Sequence, residues 1–285
     1  MANNPPISLK RDIENVKAVT SEIIREYGLK TPCFYCRNFS RCSFIGSMAF
    51  IVGGQYCTRN CRFCIIKHHK KPPRPDREEP ERVAAAVRAL GLRHVVLSSV
   101  SRDDLDDMGA GHLARCIMAV KLWNRGTFVE AFIPNYGGRR DLIKKIVDAR
   151  PDIIGHSIET VRRLQHIVRD GQNRYHESLQ TIKTIRELSK EMIIKSSLML
   201  GFREEKTEVL ATLRHLRKAG VDMITIGQYL RPTKNNLRVL EYVPRDVFEF
   251  YEREGYRLGY KYVLAKPNAT YSYLSDRMLA LLNRL

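Results

Sequence analysis

No uninterrupted apolar run in this 285-residue chain is long enough to cross a bilayer, although 44% of its residues are apolar. The opening stretch MANNPPISLKRDIENV has no basic segment followed by an apolar region and a small-residue cleavage site. No secretion signal is read there, so the cytoplasm is the expected compartment and no membrane partner is expected. Acidic residues are in deficit, 31 against 49 basic, which leaves a net charge of +18. Such an excess first suggests nucleic acid. The basic residues, however, are spread from Lys10 to Arg284 and form no recognised RNA-binding motif. The one dense run, KHHKKPPRPDR from Lys67 to Arg77, reads as a solvated loop, with docking of an acidic protein or RNA as its alternatives. Internal repeats and low-complexity linkers are also missing, and the length suits one large α/β domain.

A fourth cysteine is missing from each of two groups. Cys33, Cys36 and Cys42 form one triplet, Cys57, Cys61 and Cys64 the other, and Cys116 stands apart. A closed zinc site takes four ligands and a disulfide framework an even number. Three thiolates suit a four-iron cluster with one iron left open, and an open iron is a chemical site. A zinc knuckle or a set of buried cysteines is the bland alternative. Reducing surroundings favour metal binding over pairing. Cys116 lies in the apolar helical pattern LARCIMAV and reads as a packed core thiol.

Helical spacing of Leu9, Ile13, Val16, Val19, Ile23 and Ile24 predicts an amphipathic helix from Leu9 to Tyr27. TPCFYCRNFSRCSF has no period and reads as a loop. Beyond it, strand candidates at Ala49–Gly53, His94–Ser98, Phe128–Pro134, Asp152–His156, Ile193–Gly201 and Met223–Gln228 alternate with helix candidates. The helices fall near Glu78–Leu90, Gly111–Trp123, Asp141–Ala149, Tyr175–Leu188, Lys206–Ala219 and Arg245–Leu258. The alternation predicts an α/β fold with a parallel sheet, a partial (β/α)6 TIM-like barrel whose chemistry lies beyond the carboxyl ends of the strands. Three parts are expected: an N-terminal helix and cluster segment over 1–46, the barrel over 47–260, and a C-terminal segment over 261–285 that closes over the first triplet.

The spacing C-x3-C-x2-C in YCTRNCRFC, with Phe63 before the last cysteine, resembles the signature of the radical S-adenosylmethionine (SAM) superfamily. That resemblance implies a [4Fe–4S] cluster on Cys57, Cys61 and Cys64 whose open iron chelates SAM. One-electron cleavage of SAM then gives a 5'-deoxyadenosyl radical, chemistry that the cofactor carries and the protein orients. Longer strings resemble the lipoyl synthase family in order: CTRNCRFC, SSVSRDDLDDMGAGH from Ser98, HSIETV from His156, KSSLMLG from Lys195 and TIGQYLRPT from Thr225.

This second resemblance implies sulfur insertion at C6, C8 or both of a protein-bound octanoyl-lysine. Cys33, Cys36 and Cys42 would hold an auxiliary [4Fe–4S] cluster spent as sulfur donor. Glu159 would meet the ribose or ammonium of SAM, Lys195 its carboxylate, and Gln228 its ribose or adenine. For Glu159 and Lys195 a structural ion pair is the alternative, and for Gln228 ordinary strand-end hydrogen bonding. Arg102, Asp103, Asp104 and Asp107 make an acidic loop that either orients substrate or serves the following helix N-terminus. The implied partners are an octanoylated lipoyl carrier domain or glycine-cleavage H-type carrier protein, an electron donor such as ferredoxin or flavodoxin, and a companion lipoyl synthase chain.

Two departures from the family pattern stand out. The first triplet reads C-x2-C-x5-C where the family has C-x4-C-x5-C, and NATYSYLSD from Asn268 replaces an Arg-Ser-Ser-Tyr motif whose serine is a cluster ligand. Ser272, before Tyr273, is the best positional match, and Thr270 is a second hydroxyl candidate. The departures raise the prospect of one subunit of a two-component lipoyl synthase, each chain installing one thiol. A tRNA methylthiotransferase is the enzyme rival, disfavoured because little chain follows the barrel. Biotin synthase is a lesser rival, and a non-enzymatic iron-sulfur scaffold or electron carrier would cleave no SAM.

Overall fold

Strands covered on both faces must be apolar almost throughout, and helices that cover them need only one apolar stripe. That division is realised in the computed structural model, which describes residues 7–272 and 278. From the amino end come α1 (Ile7–Glu26), a 3-10 turn at Cys33–Tyr35 and α2 (Phe39–Phe44), before the chain enters the sheet at β1 (Ser47–Val52). A small ribbon, β2 (Tyr56–Cys57) with β3 (Lys67–His68), and α3 (Glu79–Ala89) follow. Strand and helix then alternate: β4 (His94–Ser99), α4 (Ala110–Trp123), β5 (Phe128–Phe132), α5 (Arg140–Asp148), β6 (Ile153–Gly155), a short α6 (Gln165–Val168) and α7 (Tyr175–Leu188). The series ends with β7 (Ile193–Leu200), α8 (Lys206–Ala219), β8 (Met223–Gln228), α9 (Arg245–Arg257) and β9 (Tyr262–Ala265).

β1 and β4 to β9 lie side by side in chain order, every neighbouring pair parallel, as the partial barrel requires. Helix ends are fixed by local chemistry. At α8, Glu205 and Glu208 form a reciprocal capping box, and Gly220 ends the helix in the left-handed region at φ +111°. The apolar faces of the sheet and helices merge into one large core that includes Ala49, Phe50, Val96, Leu97, Ile117, Ile146, Ile194 and Ile226.

Two differences from the sequence reading matter for the site. A seventh strand, β9, extends the sheet past residue 260: its four residues are all buried, in a stretch that the sequence reading assigns to the C-terminal segment. TPCFYCRNFSRCSF is not a plain loop, because α2 forms there and buries Phe39 and Cys42 on one face. One short helix of that kind has no sequence period to read.

β1 and β9 are the two edges of the sheet, so the barrel is open between them. The seam is filled from both ends of the chain. Lys30 makes an antiparallel bridge to Ile51 along the β1 edge. On the other side, Asn38 Nδ2 donates to the carbonyl of Asn268, just beyond β9, at 2.7 Å.

Candidate active site

The second triplet is built on the turn that follows β1 and β2. Cys64 N–H donates to Cys61 C=O at 3.0 Å, folding the two residues onto one another. Each sulfur accepts an amide N–H: Cys57 Sγ from Arg59 at 3.4 Å, Cys61 Sγ from Asp170 at 3.4 Å, and Cys64 Sγ from Ile66 at 3.4 Å. Asn173 Nδ2 adds a second donor to Cys61 Sγ at 3.3 Å. Burial pushes the Cys64 thiol up to about 12 and the Cys61 thiol to about 11. As bare thiols these groups stay protonated, yet their surroundings donate hydrogen bonds to them. That combination fits sulfurs whose charge is neutralised by iron. Phe63 packs half-buried against the core between the last two cysteines.

The loop is tied down on three sides. Arg59 forms a bidentate pair with Asp103, Nε–Oδ2 3.0 Å and Nη2–Oδ1 2.9 Å, and also donates to Asn173. Thr58 Oγ1 donates to Asp103, and Arg102 pairs with Asp104 while reaching Gly53. Asn236 Nδ2 donates to the carbonyls of Cys64 at 2.8 Å and Arg62 at 3.2 Å. Asp103 and Asp104 are therefore engaged in holding the cysteine turn and the strand that leads to it, not in facing a substrate. Asp107 instead serves the start of α4, accepting from the N–H groups of Gly109 and Gly111.

Glu159 stands at the strand end next to β7, bridged to Leu198, with φ +65°. A left-handed conformation in a side-chain-bearing residue is strained and recurs at functional sites. Burial raises its carboxyl pKa, Arg169 opposes the rise, and its charge is felt by both Cys61 and Cys64. Glu159 is thus within electrostatic reach of Cys61 and Cys64 and also of Arg169, the partner that a structural ion pair would need. Arg169, buried behind it and hydrogen-bonded to Gln165 and Ser178, carries no motif that would have revealed it.

Two residues expected to contact SAM are engaged with other partners. Lys195 is the third residue of β7, below the strand ends, and its Nζ lies 2.9 Å from Glu130 Oε2 with both side chains buried. Its charge is already neutralised, so the structural ion pair holds. Gln228 Nε2 donates to the carbonyls of Leu200, Tyr229 and Glu241, at 3.1, 3.1 and 3.0 Å, and its Oε1 accepts from Val243 N–H at 2.9 Å. The amide fastens the strand to the following loop, as ordinary strand-end hydrogen bonding would, while Gln228 also lines the cavity over the first triplet.

The first triplet occupies the seam. Cys33 Sγ accepts from Ala49 N–H at 3.3 Å and Cys36 Sγ from Asn38 N–H at 3.4 Å. A cavity of about 260 Å³ is lined by Cys33, Cys36, Asn38, Thr270, Tyr271 and Ser272, among others. Thr270 Oγ1 is buried there without a hydrogen-bond partner, and Ser272 lines the same space. Two thiols beside two hydroxyls suit a cluster with an oxygen ligand. Cys42, buried on α2, is not among the lining residues. Tyr273 lies outside the described residues. Tyr271 packs on Phe132 with ring centroids 4.4 Å apart and lines the same cavity beside Cys33 and Cys36, its hydroxyl 3.5 Å from Ser98 Oγ. None of the seven cysteines forms a disulfide, and Cys116 is wholly buried as read.

A partial parallel barrel with a three-cysteine turn after its first strand defines the radical SAM class, and the family model "Radical SAM superfamily" matches residues 51–216. A lipoyl synthase of Methanocella arvoryzae is 45% identical over 254 residues, covering 88% of this chain and 86% of that protein. One from Caldanaerobacter subterraneus subsp. tengcongensis is 41% identical over 276 residues, covering 96% and 94%. The chain belongs to the lipoyl synthase family and is a radical SAM enzyme, using SAM with a [4Fe–4S] cluster. Its fold is shared with the [FeFe]-hydrogenase maturase HydG, at a TM-score of 0.61 and 16% identity over 91% of this chain and 67% of that one.

Proposed function

We propose that this enzyme inserts sulfur into an octanoyl chain carried on the lysine of a lipoyl carrier domain or an H-type carrier protein. Cys57, Cys61 and Cys64 hold the SAM cluster, and Cys33, Cys36 and Cys42 a second cluster that donates sulfur. The observation that carries this reading is that Tyr271, a wall of the cavity beside Cys33 and Cys36, reaches Ser98 near the carboxyl end of β4 with its hydroxyl at 3.5 Å, at the end of the sheet from which the chain leaves β1 toward the second triplet.

When bound, the SAM cluster supplies the one-electron cleavage that makes a carbon radical from an unactivated chain possible. The protein's own part is to bind and orient. Amide donors to the three sulfurs fix the turn, and Glu159 beside it accepts hydrogen bonds from the ammonium or ribose of SAM. Tyr271, packed on Phe132, lines the cavity beside Cys33 and Cys36 as an apolar wall that would keep water from a substrate radical, and a cluster held there by the first triplet would supply the sulfide. Ser272 or Thr270 supplies the oxygen ligand that would complete the second cluster. The cytoplasm is the compartment that suits these thiols, ferredoxin or flavodoxin suits the reductant, and the basic surface suits an acidic carrier.

A second reading, a single-sulfur half-reaction shared with a companion chain, is favoured by the short first triplet and by Cys42 lying off the cavity. Anaerobically reconstituted protein would be incubated with SAM, dithionite and an octanoyl-lysine carrier, and the carrier weighed by mass spectrometry. Two sulfurs support complete synthesis and one supports the half-reaction. SAM cleavage with an unchanged carrier sinks both.

A further inference from the structure

The glycine at the head of the cysteine loop is gripped on both of its peptide groups by side chains of opposite charge. Gly53 N–H donates to Glu79 Oε2 at 2.9 Å, and Gly53 C=O accepts from Arg102 Nη1 at 2.8 Å. Gly53 follows β1 directly, and it and Gly54 have φ of +88° and +111°, a region that glycine adopts without strain. The direction in which the chain leaves the sheet toward Cys57 is therefore set at this point.

Neither gripping side chain is loose. Arg102 is fully buried and paired with Asp104 through two contacts of 2.9 Å. Glu79 Oε2 also meets His112 Nε2 at 2.5 Å, and Arg115 Nη2 lies 3.3 Å from His112 Nδ1. A guanidinium can only donate, so Nδ1 accepts, and the ring proton sits on Nε2, where it is given to Glu79.

Cys116, one helical turn beyond His112, brings its sulfur within 4.8 Å of the other two donor atoms. Glutamate, histidine and cysteine together are metal-binding types. Arg115 argues against a metal here, because an ion on Nε2 would move the proton to Nδ1 and set it against another donor. The trio is a brace, with Glu79 as its working end.

We infer that Glu79, backed by His112, and Arg102, backed by Asp104, are positioning residues that fix Gly53 and so set Cys57 relative to Cys61 and Cys64. The inference rests on the reading of the second triplet as the SAM cluster site. Its test compares the reconstituted full chain with Glu79→Ala and Glu79→Gln. Three properties are followed: amide exchange of the Gly53 peptide, the electron paramagnetic resonance change of the reduced cluster on adding SAM, and KM against kcat for SAM cleavage. Glu79→Ala is expected to exchange faster at Gly53, to respond to SAM with a broadened spectrum, and to raise KM by about tenfold or more. Glu79→Gln keeps an oxygen that accepts from both Gly53 and His112, and is expected within about threefold of wild type. Should Glu79→Ala fail to fold, His112→Ala is expected to give the same spectral change with a smaller KM effect. Wild-type exchange, spectrum and KM in Glu79→Ala or its substitute, or a Gln variant as impaired as Ala, would overturn the inference. A wild-type protein that cleaves no SAM would instead sink the functional reading, with exchange at Gly53 still deciding the clamp.

Discussion

Lys195 and Glu130 neutralise one another inside the barrel, Nζ to Oε2 at 2.9 Å, with side chains 1% and 0% exposed. Breaking such a pair strands a charge in apolar surroundings. Lys195→Met should therefore cost about 3–5 kcal/mol of stability, read as a lowered unfolding midpoint. SAM affinity of the folded fraction should be unchanged. A large loss of SAM affinity at wild-type stability would restore Lys195 to the cofactor site.

Acid should weaken the fold through His156. Its Nδ1–H donates to the Ile133 carbonyl at 2.9 Å, and burial, helped by Arg169, pushes its pKa down to about 3. An unfolded histidine titrates at about 6.5, so its contribution is whole above that pH and declines steadily from there toward the folded value. His156→Gln should shrink the drop in melting temperature between about pH 7.5 and about pH 5. An unchanged drop would show that other groups carry the dependence.

Much of this was legible beforehand because parallel strands with both faces covered must be apolar runs, and six of the seven in the main sheet announced themselves. So did the cysteine turn, whose spacing is local. What stayed hidden depends on contacts between distant segments. Nothing near Lys195 reveals that Glu130, two strands away, lies opposite it. Gln228 looks like a strand-end ligand until the loop that reaches Glu241 folds over its amide. The acidic string after β4 reads equally as helix cap or substrate loop, and only tertiary packing sets Asp103 against Arg59.

Iron counting separates the two triplets. Replacing Cys33, Cys36 and Cys42 by alanine should leave about four of about eight irons per chain and preserve SAM cleavage without sulfur transfer. Replacing Cys57, Cys61 and Cys64 should also leave about four irons but abolish cleavage. Full iron content in either variant would remove that triplet from the ligand set.

The hydroxyls at the seam can be told apart. Thr270 Oγ1 is buried without a partner and Ser272 faces the same cavity. If Ser272 is the oxygen ligand, Ser272→Ala should shift the spectrum of the first-triplet cluster and speed its loss to a chelator by about tenfold, whereas Thr270→Val should not. The reverse pattern assigns the ligand to Thr270.

The cavity over Cys33 and Cys36 takes one wall from residues 267–272, close to the far end of the chain. Gly227 admits this segment, since any side chain there would collide with the Ala269 carbonyl. The wall over Cys33 and Cys36 therefore hangs on the space left by one absent side chain: a methyl group at 227 would lift residues 267–272 off the sheet and leave both thiols open to solvent.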